Sequence, residues 1–117
     1  MSRARMRRRE REARAQELAE FLAWNGSCRE QRQVWGVAER DHGAAMTKWT
    51  ARVAAAPAIE MCTGCPALAQ CTEWAEIDRY TGLAAGKAWI DGGPRPAEWP
   101  RNHRYRAEAQ RPKRLAS

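Results

Sequence analysis

The chain has 117 residues, with 21 Lys or Arg against 14 Asp or Glu for a net charge of +7, and a hydrophobic fraction of 44% rich in alanine. A length suited to one small domain and so few bulky apolar residues beyond six Trp give a thin core, which calls for a staple such as a metal, disulfides or a partner. Arginines rather than an apolar stretch follow Met1, and no apolar run approaches the roughly 18 residues a membrane span needs; the expectation is a cytoplasmic protein with no membrane partner, whose four cysteines suit metal better than disulfides.

Residues 3–23 read as a helix, with Leu18, Phe21 and Leu22 on one stripe beside Ala15 and Ala19. Asn25-Gly26-Ser27 breaks it. A second, weaker helix is predicted over 29–41, on Val34, Val37 and Ala38. A third is predicted over 44–56, on Ala45, Met46, Trp49 and Val53. Pro57 suits the opening of a fourth helical turn that carries Cys62, and Pro66 the first position of a helix running to about Tyr80. Seven Gly and Pro residues between Gly82 and Pro100 predict a loop, followed by an extended basic tail. No strand alternates over five residues, so the expected fold class is all-α: a small helical domain with basic flexible ends. Charge is uneven: residues 1–14 carry +5, residues 15–100 carry −3 and residues 101–117 carry +5. Two basic ends around a mildly acidic centre point to an anionic partner, nucleic acid first.

The cysteines carry the sharpest signal. Cys62, Cys65 and Cys71 form C-x2-C-x5-C, and 33 residues separate Cys28 from Cys62. Residues three apart share a helix face or tight turn, so Cys62 and Cys65 aim at one centre. Cys71 lies about 9 Å along a helix from Cys65 at 1.5 Å per residue, a spread that a cluster bridges more easily than one ion. Four thiolates are the ordinary ligand set of a [2Fe–2S] or [4Fe–4S] cluster. A structural zinc site also uses C-x2-C pairs, although most such sites pair two of them. A thioredoxin-like pair would need a surrounding βαβ pattern, which is missing here.

The order lone Cys, then Cys62-x2-Cys65-Pro66, then x5-Cys71, with Trp24 four residues before Cys28, resembles the WhiB-like family of bacterial regulators. That family carries a G-V/I-W-G-G turn after the cysteine helix. The equivalent here is Gly82-Leu83-Ala84-Ala85-Gly86, with alanine in place of the Trp and the middle Gly. The resemblance covers roughly residues 20–87, plus a basic tail. It divides the chain into a basic arm or helix at 1–19, the iron–sulfur domain at 20–87 and a Gly/Pro-rich basic tail at 88–117. It implies a [4Fe–4S] cluster on Cys28, Cys62, Cys65 and Cys71, and redox- or gas-responsive regulation of transcription, with small gases or oxidants as signals. It also implies docking onto the C-terminal region of the primary sigma factor through the turn, at Gly82, Leu83 and Gly86. Trp89 and Trp99, beyond the turn, are the candidates to replace the missing Trp, with Trp89 taken into the partner-binding set.

Trp24, Trp35, Trp49 and Trp74 fall on predicted helices and are expected in the core, with Trp74 also shielding the cluster. Trp89 and Trp99 are expected to be exposed in the Gly/Pro-rich segment. Arg101, Arg104, Arg106, Arg111, Lys113 and Arg114 are the candidate DNA contacts, since a Pro-fixed basic strand is narrow enough for an A·T-rich minor groove. His42 reads as a polar residue at a helix end. No nucleophile–base arrangement, phosphate loop or carboxylate pair stands out, so no enzyme is expected. Two other functions stay open: a structural zinc-binding DNA module, and a thiol–disulfide reductase using Cys62 and Cys65 without a cluster.

Overall fold

A computed structural model of the chain describes residues 6–105. Among the described residues up to 80, the α-helices run in order: α1 (Arg8–Asn25), α2 (Arg32–Ala44), α3 (Lys48–Cys62) and α4 (Leu68–Ile77). A single 3-10 turn, Ser27–Glu30, joins α1 to α2. Three short strands follow: β1 (Gly82–Ala84), β2 (Lys87–Ile90) and β3 (Gly93–Arg95). Among the described residues, no helix is long and apolar enough to cross a membrane.

The helices form two pairs. α2 and α3, linked by three residues, fold back as a helical hairpin. Ala38 from α2 meets Ala55 and Ala58 from α3 in its core, with Trp35 and Ile59 packed against them. Alanines at these crossings let the two backbones approach closely, which explains how a chain poor in large aliphatic residues still packs. Thr47 caps α3: its side chain accepts the Thr50 N–H at 3.0 Å, and the Thr50 hydroxyl accepts the Thr47 N–H at 3.3 Å. α1 lies along α4 through Ala15, Leu18 and Ile77, flanked by Met6 and Trp74. A two-pronged ion pair joins Arg14 Nε and Nη2 to the Glu73 carboxylate at 2.8 and 2.9 Å.

Two expectations are corrected. Pro57 sits inside α3 and starts no new turn. An interior proline costs about 3 kcal/mol, and the buried face Ala51-Ala55-Ala58 holds the helix together through it. The segment after Gly82 is a three-stranded antiparallel sheet in the order β1-β2-β3, so the fold is mostly helical but not purely all-α. Both connections are two-residue loops. Ala85 and Gly86 have φ of 52° and 75°, and Asp91 and Gly92 have 49° and 79°. Positive φ at both central residues is the requirement of a type I′ turn, whose twist matches the flanking strands. Pro94 falls in the edge strand β3, where a missing N–H is tolerated.

Candidate metal centre

Each cysteine reaches the centre from a different local structure. Cys28 sits in the 3-10 turn after α1, and Cys62 is the last residue of α3. Gly64, at φ 74°, turns the chain back, and the Cys65 N–H bonds to the Cys62 carbonyl at 3.1 Å. Cys71 lies in the first turn of α4. All four are free and half-buried, and all four line one cavity of about 620 Å³. Its walls are apolar, built by Leu22, Trp35, Trp74 and Leu83, and Arg29 and Arg32 contribute cationic groups to its lining. Among the described residues, no group of three or more His, Cys, Asp or Glu side chains is disposed to hold a single metal ion.

Backbone donors converge on the sulfurs. The Ala85 N–H faces Cys71 and the Gly86 N–H faces Cys62. A Cβ on Gly86 would lie 3.8 Å from the Cys62 Cβ. The Ser27 N–H reaches the Cys65 sulfur at 3.5 Å. Burial pushes the Cys71 thiol up to about 11, with the neighbouring thiols adding to the effect and the Ala85 N–H opposing it. Burial likewise raises Cys28 and Cys62. At Cys65 burial also pushes upward, but the Ser27 N–H and hydroxyl and the Ala67 N–H together hold the thiol below its ordinary range. Four sulfurs around one space, ringed by N–H donors and apolar walls, form a donor set that fits an iron–sulfur cluster.

Other predicted site residues lie elsewhere than expected. Trp89 is fully buried, packs on Ala75 and Ala84, and donates its Nε1–H to the Ala84 carbonyl at 2.7 Å. Leu83 is buried in the α2–α3 core. Neither side chain presents to a partner, because the hairpin folds both inward. Gly82 is also buried, and Gly86 is half-buried beside Cys62. Trp35 and Trp74 are half-buried as expected, but Trp24 is 77% exposed and Trp49 65% exposed. Trp99 is exposed as expected, beneath the Lys48 ammonium at 4.5 Å.

Arg101 is turned inward: its Nε–H donates to His42 Nδ1 at 2.9 Å, and its Nη2 bonds to the Glu39 carbonyl. Arg104 is exposed. Arg106, Arg111, Lys113 and Arg114 lie outside the described residues. The buried polar network around Arg101 has no linear signature in the sequence. His42 is fully buried and donates its Nε2–H to the Ala97 carbonyl at 2.7 Å. The Glu39 carboxylate accepts the Leu83 N–H at 2.9 Å and the Tyr80 hydroxyl. Burial and that carboxylate keep the Tyr80 phenol protonated.

No protein-family model, curated protein or solved structure matches the chain.

Proposed function

We propose that the chain is a WhiB-like regulator of transcription. In this reading Cys28, Cys62, Cys65 and Cys71 hold a [4Fe–4S] cluster that responds to redox change or small gases, and the protein acts in the cytoplasm through the primary sigma factor and DNA. The observation that carries the proposal is the gathering of four free thiols, 43 residues apart at the extremes, around one apolar cavity. When bound, the cluster supplies a redox- and oxygen-sensitive centre that also ties the 3-10 turn after α1 to α3 and α4. The residues around it have separable tasks. Cys65 is the most readily ionised thiol, since its N–H donors favour thiolate. Trp35 and Trp74 exclude water from the cavity wall. For the sigma factor, Trp24 beside cavity-lining Ala23 is the apolar anchor in reach, in place of Trp89.

Anaerobic purification tests the proposal. The expected product is brown, with about four iron and four sulfide per chain. Alanine at any of the four cysteines should bleach it. One tightly bound zinc with no sulfide would overturn the assignment.

Cys65 also favours a second reading. Its lowered thiol stands in one turn with Cys62, the arrangement of a dithiol reductase. The Cys65 thiolate would attack a substrate disulfide and release one substrate thiol. Cys62 would then displace the second, leaving an oxidised Cys62–Cys65 pair. Insulin reduction by metal-free protein, absent in Cys62→Ala and Cys65→Ala, is the expected result on that reading.

A further inference from the structure

We propose that Glu39 is a positioning residue for the sulfur-facing turn: from α2 it pins β1, and so holds the Ala85 and Gly86 N–H groups on Cys71 and Cys62. The importance of those N–H groups rests on the iron–sulfur reading; the clamp itself does not.

A glutamate in the middle of a small-domain helix ordinarily points to water. Glu39 instead turns its carboxylate onto the neighbouring sheet, where Oε2 accepts the Leu83 N–H at 2.9 Å and the Tyr80 hydroxyl. β1 is an edge strand of the sheet, so its outward N–H groups need a partner. The fit is close enough to dictate the neighbouring residue. A Cβ on Gly82 would lie 2.4 Å from Glu39 Oε2 and 2.8 Å from the Tyr80 ring, and only glycine leaves that space to the carboxylate. Two residues beyond Leu83 the chain turns at Ala85-Gly86 beside the sulfurs: Ala85 lines the cysteine cavity, a Cβ on Gly86 would lie 3.8 Å from the Cys62 Cβ, and the turn's N–H groups face Cys71 and Cys62. Ala85 holds φ at 52°, a conformation that alanine adopts only when its surroundings enforce it. The Leu83 anchor is one side of that enforcement, and the Trp89 Nε1–H bond to the Ala84 carbonyl is the other. Hydrogen bonds to ligating sulfurs tune a cluster's potential, and the same short turn covers the sulfurs from solvent.

Fragment-resolved amide hydrogen exchange on the full-length chain, with iron and sulfide measured on the same samples, tests the clamp in loaded and metal-free protein alike. Glu39→Ala should speed exchange in residues 83–86 about tenfold, the loss of one charge-assisted hydrogen bond, and leave the protection of α1 and α4 unchanged. Glu39→Gln keeps an acceptor oxygen without the charge and should lose clearly less protection at 83–86 than Glu39→Ala. Arg101→Met loosens the His42 side of the network without touching the Leu83 N–H and should leave 83–86 protected. If Glu39→Ala does not fold, Glu39→Asp, which keeps the charge but withdraws it by one methylene, carries the same expectation. Where cluster is present, the variant that frees the turn should also bleach faster in air. Unchanged exchange at 83–86, an equal loss of protection along the whole chain, or Glu39→Gln behaving like Glu39→Ala would overturn the proposal. A wild-type preparation free of iron and sulfide would instead overturn the cluster reading, while the exchange pattern would still decide the role of Glu39.

Discussion

Single buried polar contacts set the tolerance of this molecule at the residue scale. Gly82 faces a carboxylate held by two donors, so an added methyl cannot be accommodated by swinging Glu39 aside without breaking both hydrogen bonds. Gly82→Ala should therefore cost about 2–4 kcal/mol, the sum of overpacking and a lost buried hydrogen bond, read as a lower urea midpoint. His42 gives a pH signature. Its burial, with help from the Arg101 charge, holds the imidazole below its ordinary pKa, although the Ala97 carbonyl pulls the other way. The unfolded chain thus takes up a proton at His42 at a higher pH than the folded one. Stability from this site is complete above the unfolded value of about 6.5 and is lost as pH falls through the folded value, with a slope of at most about 1.4 kcal/mol per pH unit. His42→Gln, which keeps one donor for Ala97 and one acceptor for Arg101, should flatten the fall in urea midpoint between pH 7 and pH 5. An equal slope in both proteins would mean that other groups carry the acid sensitivity.

At the scale of elements, the two hairpin turns share a backbone shape but differ in how they reach it. Gly92 occupies its left-handed position without strain and lies against backbone, since a Cβ there would stand 2.9 Å from the Glu76 carbonyl and 3.1 Å from the Arg79 Cα. Gly92→Ala should cost about 2–4 kcal/mol, combining a left-handed penalty of about 1–2 kcal/mol with a clash that no rotamer relieves. Ala85→Gly removes the same kind of penalty but loses a buried methyl and adds freedom to the unfolded chain, so its stability should lie within about 0.5 kcal/mol of the parent. Urea titrations of the two variants side by side read this asymmetry. The helix pairs divide the labour differently. The α2–α3 hairpin packs through alanines, whereas α1 is held on α4 by Leu18, Ile77 and the Arg14–Glu73 pair. Glu73 holds the Arg14 guanidinium firmly in its charged form, so Arg14 is part of the packing and not of a free basic arm.

Over the whole molecule, the cysteine cavity and the basic tail are joined by the segment around Pro100, which is buried. There the Ala97 carbonyl, Arg101 and Asn102 all bond to α2, at His42, Glu39 and the Ala44 carbonyl. Truncation after Tyr105 therefore leaves this strap intact and removes four of the basic residues proposed for DNA, namely Arg106, Arg111, Lys113 and Arg114. On the proposed function, the truncated protein keeps the spectrum expected of the cluster and loses DNA affinity on all sequences alike, with the log–log salt slope flatter by about 3.6 for four phosphates. An unchanged slope would move the DNA contact to the arginines near the start of the chain.

The sequence alone determined a mostly helical first two thirds, the break at Gly26 and the set of four thiols, because these are written in local periodicity and short spacing, but not that α3 runs on through Pro57. Asp91-Gly92 carried the hairpin signal as well, the two residues most suited to a type I′ turn, but the flanking strands of three and four residues are too short to alternate visibly. Tertiary structure decided what no local pattern encodes. It sent Trp89 inward and left Trp24 outside, because burial depends on which face a neighbouring element covers. It drew Arg101 out of a basic tail into a bond with His42, because a buried imidazole needs partners wherever the chain can supply them. It also turned Glu39, one surface-type residue among many in a charged helix, toward a strand 44 residues away, since an edge N–H in a thin core had to find an acceptor.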